Sequence, residues 1–276
     1  MARERRLAID APIRSAAINP GRHLLGRVYT PDARDWSLSR LMAVAEPSDA
    51  ILQQTIDQVM KTTQYFSNWS AYLALWRWLK TKQQPVVPVP PATGTPAWEL
   101  LTQLDQGQTG HCVGFGWAGW GDAAPVEDTY QNADGNAIYY ECKVIDGQPH
   151  QENGSSVRSG ALAMRARGRL AAFAFATSLA DINAWLDGHG PVVMGTTWTD
   201  DMFQPDAQGF VKPTGAVAGG HCYLLLDHID GQDAYLFQNS WGATWGDHGR
   251  FRMKAGDVAA LLADKGEACC AAELPH

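Results

Sequence analysis

The sequence predicts an α+β fold, because two different hydrophobic patterns follow one another along its 276 residues. Between Ser48 and Lys80, apolar side chains recur at steps of three and four, which is typical of amphipathic helices. The last third instead carries short apolar runs at 221–229, 234–239 and 249–254, separated by turn residues, as in β-strands. A helix-rich first half followed by a strand-rich second half favours an α+β arrangement over regular α/β alternation.

A proline-rich stretch separates the predicted segments of the chain. Residues 1–46 predict an N-terminal arm with a candidate first strand at 31–36. Residues 47–96 predict a helical segment that ends in a stiff linker, since 83–96 holds five prolines. Residues 97–276 predict the main domain. This domain contains three shorter patterns, two helical and one extended: 159–168, 179–188 and 191–198.

Composition excludes several classes of protein. The formal net charge of −7 argues against nucleic acid as a partner, because phosphate binding requires a basic surface. The sequence contains no apolar run of membrane-spanning length and no apolar core of a signal peptide, so we expect a cytoplasmic protein as synthesised, with no membrane partner. The five cysteines match no zinc spacing, so no metal or cofactor is expected, and their odd number leaves at least one thiol outside intramolecular disulfides. The sequence predicts no oligomeric state.

Cys112 lies where a polar, glycine-rich loop enters an apolar run. A free cysteine is commonly a small packing residue, which is the simpler interpretation. The four glycines within 113–121 disfavour a helix, and alternating apolar residues there also fit a strand. However, Val113, Trp117 and Trp120 fall on one helical face, and we favour the helix. Its N-terminus would then lower the pKa of the Cys112 thiol.

His221 and Asn239 are candidates for a cooperating pair. If their two strands form a hairpin, the even sum of their residue numbers requires an odd loop or a bulge around Asp230–Gly231 to place both on one face. Asn239 would then fix the imidazole tautomer and leave the second nitrogen for a nucleophile. Trp241 is placed to cover that hydrogen bond, with an ordinary core tryptophan as the alternative.

Gln106 precedes Cys112 by six residues and can supply an amide donor. Together with the backbone N–H of Cys112, it would form an oxyanion hole. A solvent-facing loop glutamine is the alternative. Each of these signals is weak alone, but their order and spacing together indicate nucleophilic catalysis.

The arrangement Gln-x5-Cys, Gly-Gly-His and Asn-Ser-Trp-Gly resembles the papain family of cysteine peptidases. The resemblance implies a two-lobed papain-like fold, with a left helical lobe, a right β-rich lobe and an extra helical segment before the catalytic core. It implies a nucleophile, a general base, an orienting amide and an oxyanion donor at Cys112, His221, Asn239 and Gln106. It also implies substrate contacts at four further residues: Trp241, Trp245, Ser155 and Ser156.

The sequence also departs from the family's pattern around the nucleophile. Thr109 stands where secreted members carry a disulfide-bonded cysteine, which fits a reducing compartment. Val113 replaces the usual aromatic residue, and His111 adds a titratable group beside Cys112. The Cys-to-His separation is shorter than is usual in the family. These departures resemble bacterial or bacteriophage members, and a phage-encoded protein is one expectation.

The resemblance implies a cysteine endopeptidase that acts on protein or peptide substrates through an acyl-enzyme. Two alternatives stay open at this stage: a papain-like amidase acting on peptidoglycan peptides, and a catalytically silent peptide-binding module. The region 1–96 is either a removable proregion or an arm followed by a retained helical insertion at 47–96. We favour the insertion.

Overall fold

The structure is a computed structural model, and it describes residues 23–32, 35, 37–38, 98–229 and 231–273. The predicted helical segment 47–96, with its proline-rich linker, lies outside the described residues. So do most of the predicted arm and Asp230 of the predicted turn.

The helical lobe consists of three helices: α1 Cys112–Asp122, α2 Asn132–Ile145 and α3 Val157–Ala166. Helix α3 confirms the pattern at 159–168 but begins two residues earlier, because the hydroxyl of Ser156 accepts the Ser159 N–H and caps it. The sequence pattern does not predict α2, whose apolar positions are sparse. A capping box between Gln131 and Asp134 marks its start.

The segment that begins at Cys112 forms helix α1, which confirms the predicted helix despite the low helix propensity of its glycines. All eleven of its residues are buried. A Cβ added at Gly114 would lie 2.2 Å from the Gly135 carbonyl oxygen of α2, and one at Gly116 would lie 2.7 Å from the sulfur of Cys222. The glycines therefore let α1 approach its neighbours closely, and this packing outweighs the helix propensity they cost.

The β-rich lobe is one antiparallel sheet with the strand order β1-β6-β2-β3-β4-β5. Its strands are β1 Leu170–Ala176, β2 Val192–Thr199, β3 Val217–Ile229, β4 Ala234–Gln238, β5 Arg250–Lys254 and β6 Glu267–Glu273. The four predicted strands correspond to β2, β3, β4 and β5. The sequence pattern does not predict β1 or β6, because both are rich in alanine and lack alternation.

Two helices connect strands of the sheet. Helix α4 Leu179–Leu186 follows β1 and confirms the predicted helix at 179–188, whereas α5 Ala255–Ala263 between β5 and β6 was not predicted. A short 3₁₀ helix at Asp200–Phe203 follows β2.

The β3–β4 hairpin contains the bulge that was expected if His221 and Asn239 lie on one face of the sheet. The register shifts between Leu225 and Asp227, so a bulge at Leu226 restores the same-face relation. The bulge lies within the paired part of β3 and β4 rather than at the turn that joins them.

Helix α1 packs across β3, so the N-terminus of α1 lies beside the middle of the longest strand. This contact joins the two lobes and places Cys112 and His221 on facing elements. Among the described residues, no helix combines the length and apolarity needed to cross a bilayer.

Candidate active site

Cys112 is the first residue of α1, and its thiol is completely buried. Burial raises the pKa of this thiol to about 11, although hydrogen bonds from the backbone amides of Cys222, Gly26 and Val113 act in the opposite direction. The helix N-terminus therefore does not yield a thiolate in this state. The thiol is protonated at neutral pH.

His221 lies in β3 opposite Thr196 of β2 and is also completely buried. Its Nε2 lies 2.9 Å from Oδ1 of Asn239, as predicted. The same oxygen accepts the Ser240 N–H at 2.8 Å, so it acts as an acceptor and Nε2 carries the proton. Nδ1 then has its lone pair free for a nucleophile.

The second nitrogen of His221 is unused in this state. Its Nδ1 has no hydrogen-bond partner within the described part of the chain, so no hydrogen bond joins it to the Cys112 thiol. Burial lowers the pKa of His221 to about 3, against the raising effect of the Asn239 bond. The two groups are on facing elements and both are neutral.

Aromatic rings surround the imidazole. Trp241 stacks on His221 with 4.7 Å between ring centroids, and Trp198 meets the imidazole edge-on at the same distance. Trp245 packs edge-on against Trp241 and donates from Nε1 to the carbonyl of Phe203 at 2.9 Å. Trp241 therefore covers the His221–Asn239 bond as expected, and Trp245 supports Trp241.

Gln106 is buried and held from both ends of its amide. Its Oε1 accepts from the Ser240 hydroxyl at 2.7 Å, which orients Nε2 as a donor. Nε2 donates to the carbonyl oxygens of Thr109 at 2.7 Å and Leu24 at 3.2 Å. The predicted oxyanion donor thus already points at a peptide carbonyl.

The Leu24 carbonyl belongs to residues 23–29, a stretch of chain that lies across the site and is here called the cleft segment. His23 stacks on Trp241 with 4.3 Å between centroids. Arg27 donates its N–H to the carbonyl of Gly220, immediately before His221, at 2.9 Å. The cleft segment therefore covers the site from Trp241 to the strand that carries the histidine.

Ser155 binds the cleft segment through its backbone rather than its hydroxyl. Its N–H donates to the Gly26 carbonyl and its carbonyl accepts from the Val28 N–H, both at 2.7 Å. This contact needs a glycine at 154, where φ is +81° and a Cβ would lie 2.0 Å from the Gly26 oxygen. The Gly154–Ser155 stretch is thus a backbone docking edge, whereas Ser156 acts as the helix cap of α3.

Two charged residues that the sequence did not predict as part of the site support this docking edge from behind. Asp146 accepts from the Ser155 hydroxyl at 2.8 Å. Lys143 is buried and donates to the carbonyl of Gly154, also at 2.8 Å. Both lie near the end of α2, whose weak pattern offered no signal for them.

His111, the additional titratable residue beside Cys112, has structural partners. Its ring nitrogens lie 2.7 Å from Oδ1 of Asn136 and 2.7 Å from a carboxylate oxygen of Glu152, and its ring stacks on Tyr139. These contacts join α2 to the loop before α3, and they occupy both ring nitrogens of His111.

The other four cysteines are buried and free, as is Cys112. Among the described residues, no group of three or more histidine, cysteine, aspartate or glutamate side chains is arranged to hold a metal ion. The site brings together a thiol, an imidazole oriented by an amide, and a side-chain amide donor on a peptide carbonyl.

Comparison with known proteins identifies the family of the chain. Residues 127–269 match the family model described as "Papain family cysteine protease", a span that includes His221 and Asn239. "Cathepsin B-like cysteine proteinase 4" of Caenorhabditis elegans is 33% identical over 87 residues, which are 31% of this chain and 26% of that protein. "Cathepsin B" of Dictyostelium discoideum is 37% identical over 71 residues, 25% of this chain and 23% of that protein. The chain thus spans about a quarter of the length of these curated relatives.

A solved structure agrees in fold over most of the chain. Xylellain, a cysteine protease from Xylella fastidiosa, superimposes with a TM-score of 0.56 at 15% identity and covers 92% of this chain and 98% of its own. The two-lobed α+β architecture is therefore the papain-like fold. With a family match over more than half of its length, this chain belongs to the papain family of cysteine proteases.

Proposed function

We propose that this chain is a cysteine peptidase that hydrolyses peptide bonds through Cys112, His221, Asn239 and Gln106. The observation that carries the proposal is the Leu24 carbonyl, which accepts a hydrogen bond from Gln106 Nε2 in the cleft where a substrate carbonyl has to lie. The site thus binds a peptide backbone with the groups that acyl transfer requires.

The proposed reaction starts when the cleft segment leaves and a peptide takes its place. Water then reaches Cys112 and His221, which removes the burial that keeps both groups neutral. The thiol proton passes to Nδ1 of His221, and the thiolate attacks the carbonyl carbon. Gln106 Nε2 and the Cys112 N–H hold the resulting oxyanion.

The remaining steps return the site to its starting state. The protonated His221 gives its proton to the leaving amine, and the peptide C–N bond breaks to leave an acyl-enzyme on Cys112. Water then attacks the thioester, with His221 as the base, and releases the carboxylate product. Asn239 keeps the imidazole in the tautomer that both transfers need.

The cleft segment has to move, but the chain that follows it docks on the body of the protein. Asp35 forms an ion pair with Arg158 at 2.7 Å, and Ser37 forms a parallel bridge with Phe175. These contacts support retention of the chain beyond residue 35 and agree with the favoured insertion hypothesis. Intact mass after activation tests it, since loss of the first ninety or so residues would contradict retention.

The direct test of the proposal compares two buried thiols. Casein and a diverse peptide library are incubated with the full chain, with Cys112→Ala and with Cys270→Ala. Each chain is also tested in an Arg27→Glu background, which breaks the buried ion pair between Arg27 of the cleft segment and Glu267. We expect hydrolysis by the parent and the Cys270→Ala chains and none by Cys112→Ala. Full activity of Cys112→Ala would contradict the assignment.

Two further assays separate the open alternatives. Release of peptide fragments from purified sacculi, without casein cleavage, would favour the peptidoglycan amidase. Binding of peptides without turnover by any chain would favour the silent module. The relation to bacterial or bacteriophage members stays a prediction, because the curated relatives named above are eukaryotic.

A further inference from the structure

His111 is buried immediately before Cys112, and each nitrogen of its ring meets an oxygen. Nδ1 lies 2.7 Å from Oδ1 of Asn136, and Nε2 lies 2.7 Å from a carboxylate oxygen of Glu152. An amide oxygen and an ionised carboxylate only accept hydrogen bonds, so each ring nitrogen has to donate. An imidazole that donates from both nitrogens is an imidazolium, and the geometry therefore gives His111 a positive charge.

The groups that contact the ring favour this charge. Tyr139 stacks on the imidazole with 3.8 Å between centroids, Tyr140 meets it edge-on, and aromatic rings attract cations through their faces. Burial raises the pKa of Tyr139 to about 12 and that of the adjacent Cys112 thiol to about 11, so neither group is charged at neutral pH. The His111 side chain is 5% exposed and that of Glu152 is 60% exposed, so a buried cation meets a hydrated carboxylate.

The bond between His111 and Glu152 connects the docking edge to α1. Glu152 stands in the loop just before Gly154, where the edge begins. The edge is already held from α2, by Lys143 and Asp146, whose charged groups face it. The His111 bond adds a link to the first turn of α1, the helix that carries the thiol. The position of the edge relative to the thiol therefore depends on the charge of His111.

Loss of one proton from His111 would weaken this link. A neutral imidazole donates from only one nitrogen, so one of the two hydrogen bonds would be broken. The contact with Glu152 would also lose its charge assistance, and charge-assisted hydrogen bonds are roughly twice as strong as neutral ones. The link is therefore complete while His111 is protonated, and it is lost as the pH rises and the ring gives up its second proton.

We propose that His111 is a positioning residue whose positive charge holds the docking edge, so that the binding of peptide substrates weakens as the pH rises. The proposal rests on the proposed peptidase function, because it requires substrates to use the edge that here binds the backbone of Gly26 and Val28. His111 acts through Glu152 and not on the reacting atoms, since both of its ring nitrogens are occupied.

The kinetic test follows KM and kcat for one cleaved peptide from about pH 5 to about pH 8, the range in which histidine changes charge. All chains carry Arg27→Glu. With His111 present, KM should rise with pH by about 3–10-fold, the effect of losing one hydrogen bond, whereas in His111→Gln it should be high throughout. The dependence of kcat on pH, which reports Cys112 and His221, should be the same in both chains. An equal dependence of KM on pH in both chains would overturn the proposal.

Substitution of the carboxylate supplies a second comparison that leaves the buried histidine in place. Glu152→Gln keeps an oxygen acceptor but removes the negative charge, and its exposed side chain makes poor folding a smaller concern than at His111. KM should rise on the acid side and depend less on pH. His228→Gln is the matched control, because His228 pairs with Asp187 at 3.6 Å near the far end of β3, and it should keep the parent profile. A parent profile in Glu152→Gln would contradict the proposal.

Two measurements on the full chain need no turnover and separate this proposal from the proposed function. NMR of the His111 ring should show protons on both nitrogens on the acid side, and Glu152→Gln should lose the second proton at a lower pH than the parent. Hydrogen exchange of the Gly154 amide, which donates to the Tyr139 hydroxyl, should be about 10-fold less protected in His111→Gln.

The outcomes of these two measurements differ for the two proposals. Both expected results without peptide cleavage by any chain would support the positioning role and contradict the peptidase assignment. A neutral His111 ring on the acid side, or unchanged protection of the Gly154 amide, would refute the positioning role even if peptides are cleaved.

Discussion

A hydrogen bond of 2.9 Å joins Nε2 of His221 to Oδ1 of Asn239, and it determines which imidazole nitrogen is basic. The Ser240 N–H holds the same oxygen at 2.8 Å, so Asn239 accepts and Nε2 donates. Nδ1 is left with a free lone pair. Trp241 stacks on the imidazole and keeps water from the bond.

Replacing Asn239 with alanine should therefore lower kcat more than it changes KM. The imidazole loses its fixed tautomer, and we expect a fall of about 100-fold, within the contribution of a positioned base. Steady-state kinetics in the Arg27→Glu background measure it. Asn183→Ala is the control, because the side chain of Asn183 lies in α4, outside the site, where it accepts a hydrogen bond from the hydroxyl of Tyr235. Equal effects of the two substitutions would contradict the orienting role.

Removal of the Gln106 amide should reduce transition-state stabilisation. We expect Gln106→Ala to lower kcat by about 10²–10³-fold, the usual cost of one lost oxyanion donor. The exposed Gln108 gives a matched control, and Gln108→Ala should retain activity. Because Gln106 also binds Ser240, thermal unfolding is measured alongside. A kcat loss fully explained by unfolded protein would argue against the oxyanion role.

The reactivity of Cys112 should report the state of the cleft. With its pKa raised to about 11, the thiol is almost wholly protonated from pH 6 to 9, and its thiolate fraction grows tenfold per pH unit there. His221, with its pKa lowered to about 3, stays neutral and offers no cation over this range. We therefore expect very slow iodoacetamide labelling of Cys112 near pH 6 that accelerates with rising pH.

Opening of the cleft should change that profile. In Arg27→Glu, hydrated Cys112 and His221 can form the ion pair, and labelling near pH 6 should rise well above that of the parent chain. Peptide mapping by mass spectrometry separates Cys112 from the four other thiols. Identical labelling rates in the two chains would count against control by the cleft segment.

Arg27→Glu should also increase peptidase activity. The substitution places a second carboxylate against Glu267, and loss of a buried ion pair costs about 3–5 kcal/mol, which weakens the closed state. Arg252→Glu, which removes a more exposed ion pair with Asp247, should leave the rate unchanged. Initial rates of library hydrolysis measure both, and a slower Arg27→Glu chain would be inconsistent with release of the segment.

The stability of the protein should depend on the glycines of α1, because they have no side chains and let the helix pack closely. Gly114→Ala drives a Cβ toward the Gly135 oxygen and should lower the free energy of unfolding by about 1–3 kcal/mol. Gly256→Ala, at an exposed site in α5 with open space around it, should be neutral or stabilising by up to about 1 kcal/mol. Chemical denaturation measures both. A stabilised Gly114→Ala chain would refute the close-packing explanation of the glycines.

The sequence predicted the elements whose patterns are strong. Strands β2, β3, β4 and β5 and helices α3 and α4 correspond to predicted runs, because their apolar residues repeat with a clear period. Strands β1 and β6 and helices α2 and α5 were missed, since alanine and small polar residues carry little periodic signal. Their structure comes from neighbours in the sheet and across the lobes.

Residue order, together with the resemblance to the papain family, predicted the candidate chemistry. Cys112, His221, Asn239 and Gln106 stand at spacings that indicate a nucleophile, a base, its orienter and an oxyanion donor. The even sum of the His221 and Asn239 numbers also required a bulge or an odd loop, and a bulge at Leu226 meets that requirement. The parity inference needs only chain order and the alternation of side chains along a strand.

The tertiary structure alone decided the state of that chemistry and what lies over it. The Cys112 and His221 pKa values depend on burial, which no local pattern encodes. The pairing of Arg27 with Glu267 joins residues 240 positions apart, and Gly195 of β2 and Gly220 of β3 leave room for the arginine. A contact of that kind arises only when distant segments fold together, so it is the fold that places an arginine near the N-terminus in a buried ion pair with an acid near the C-terminus.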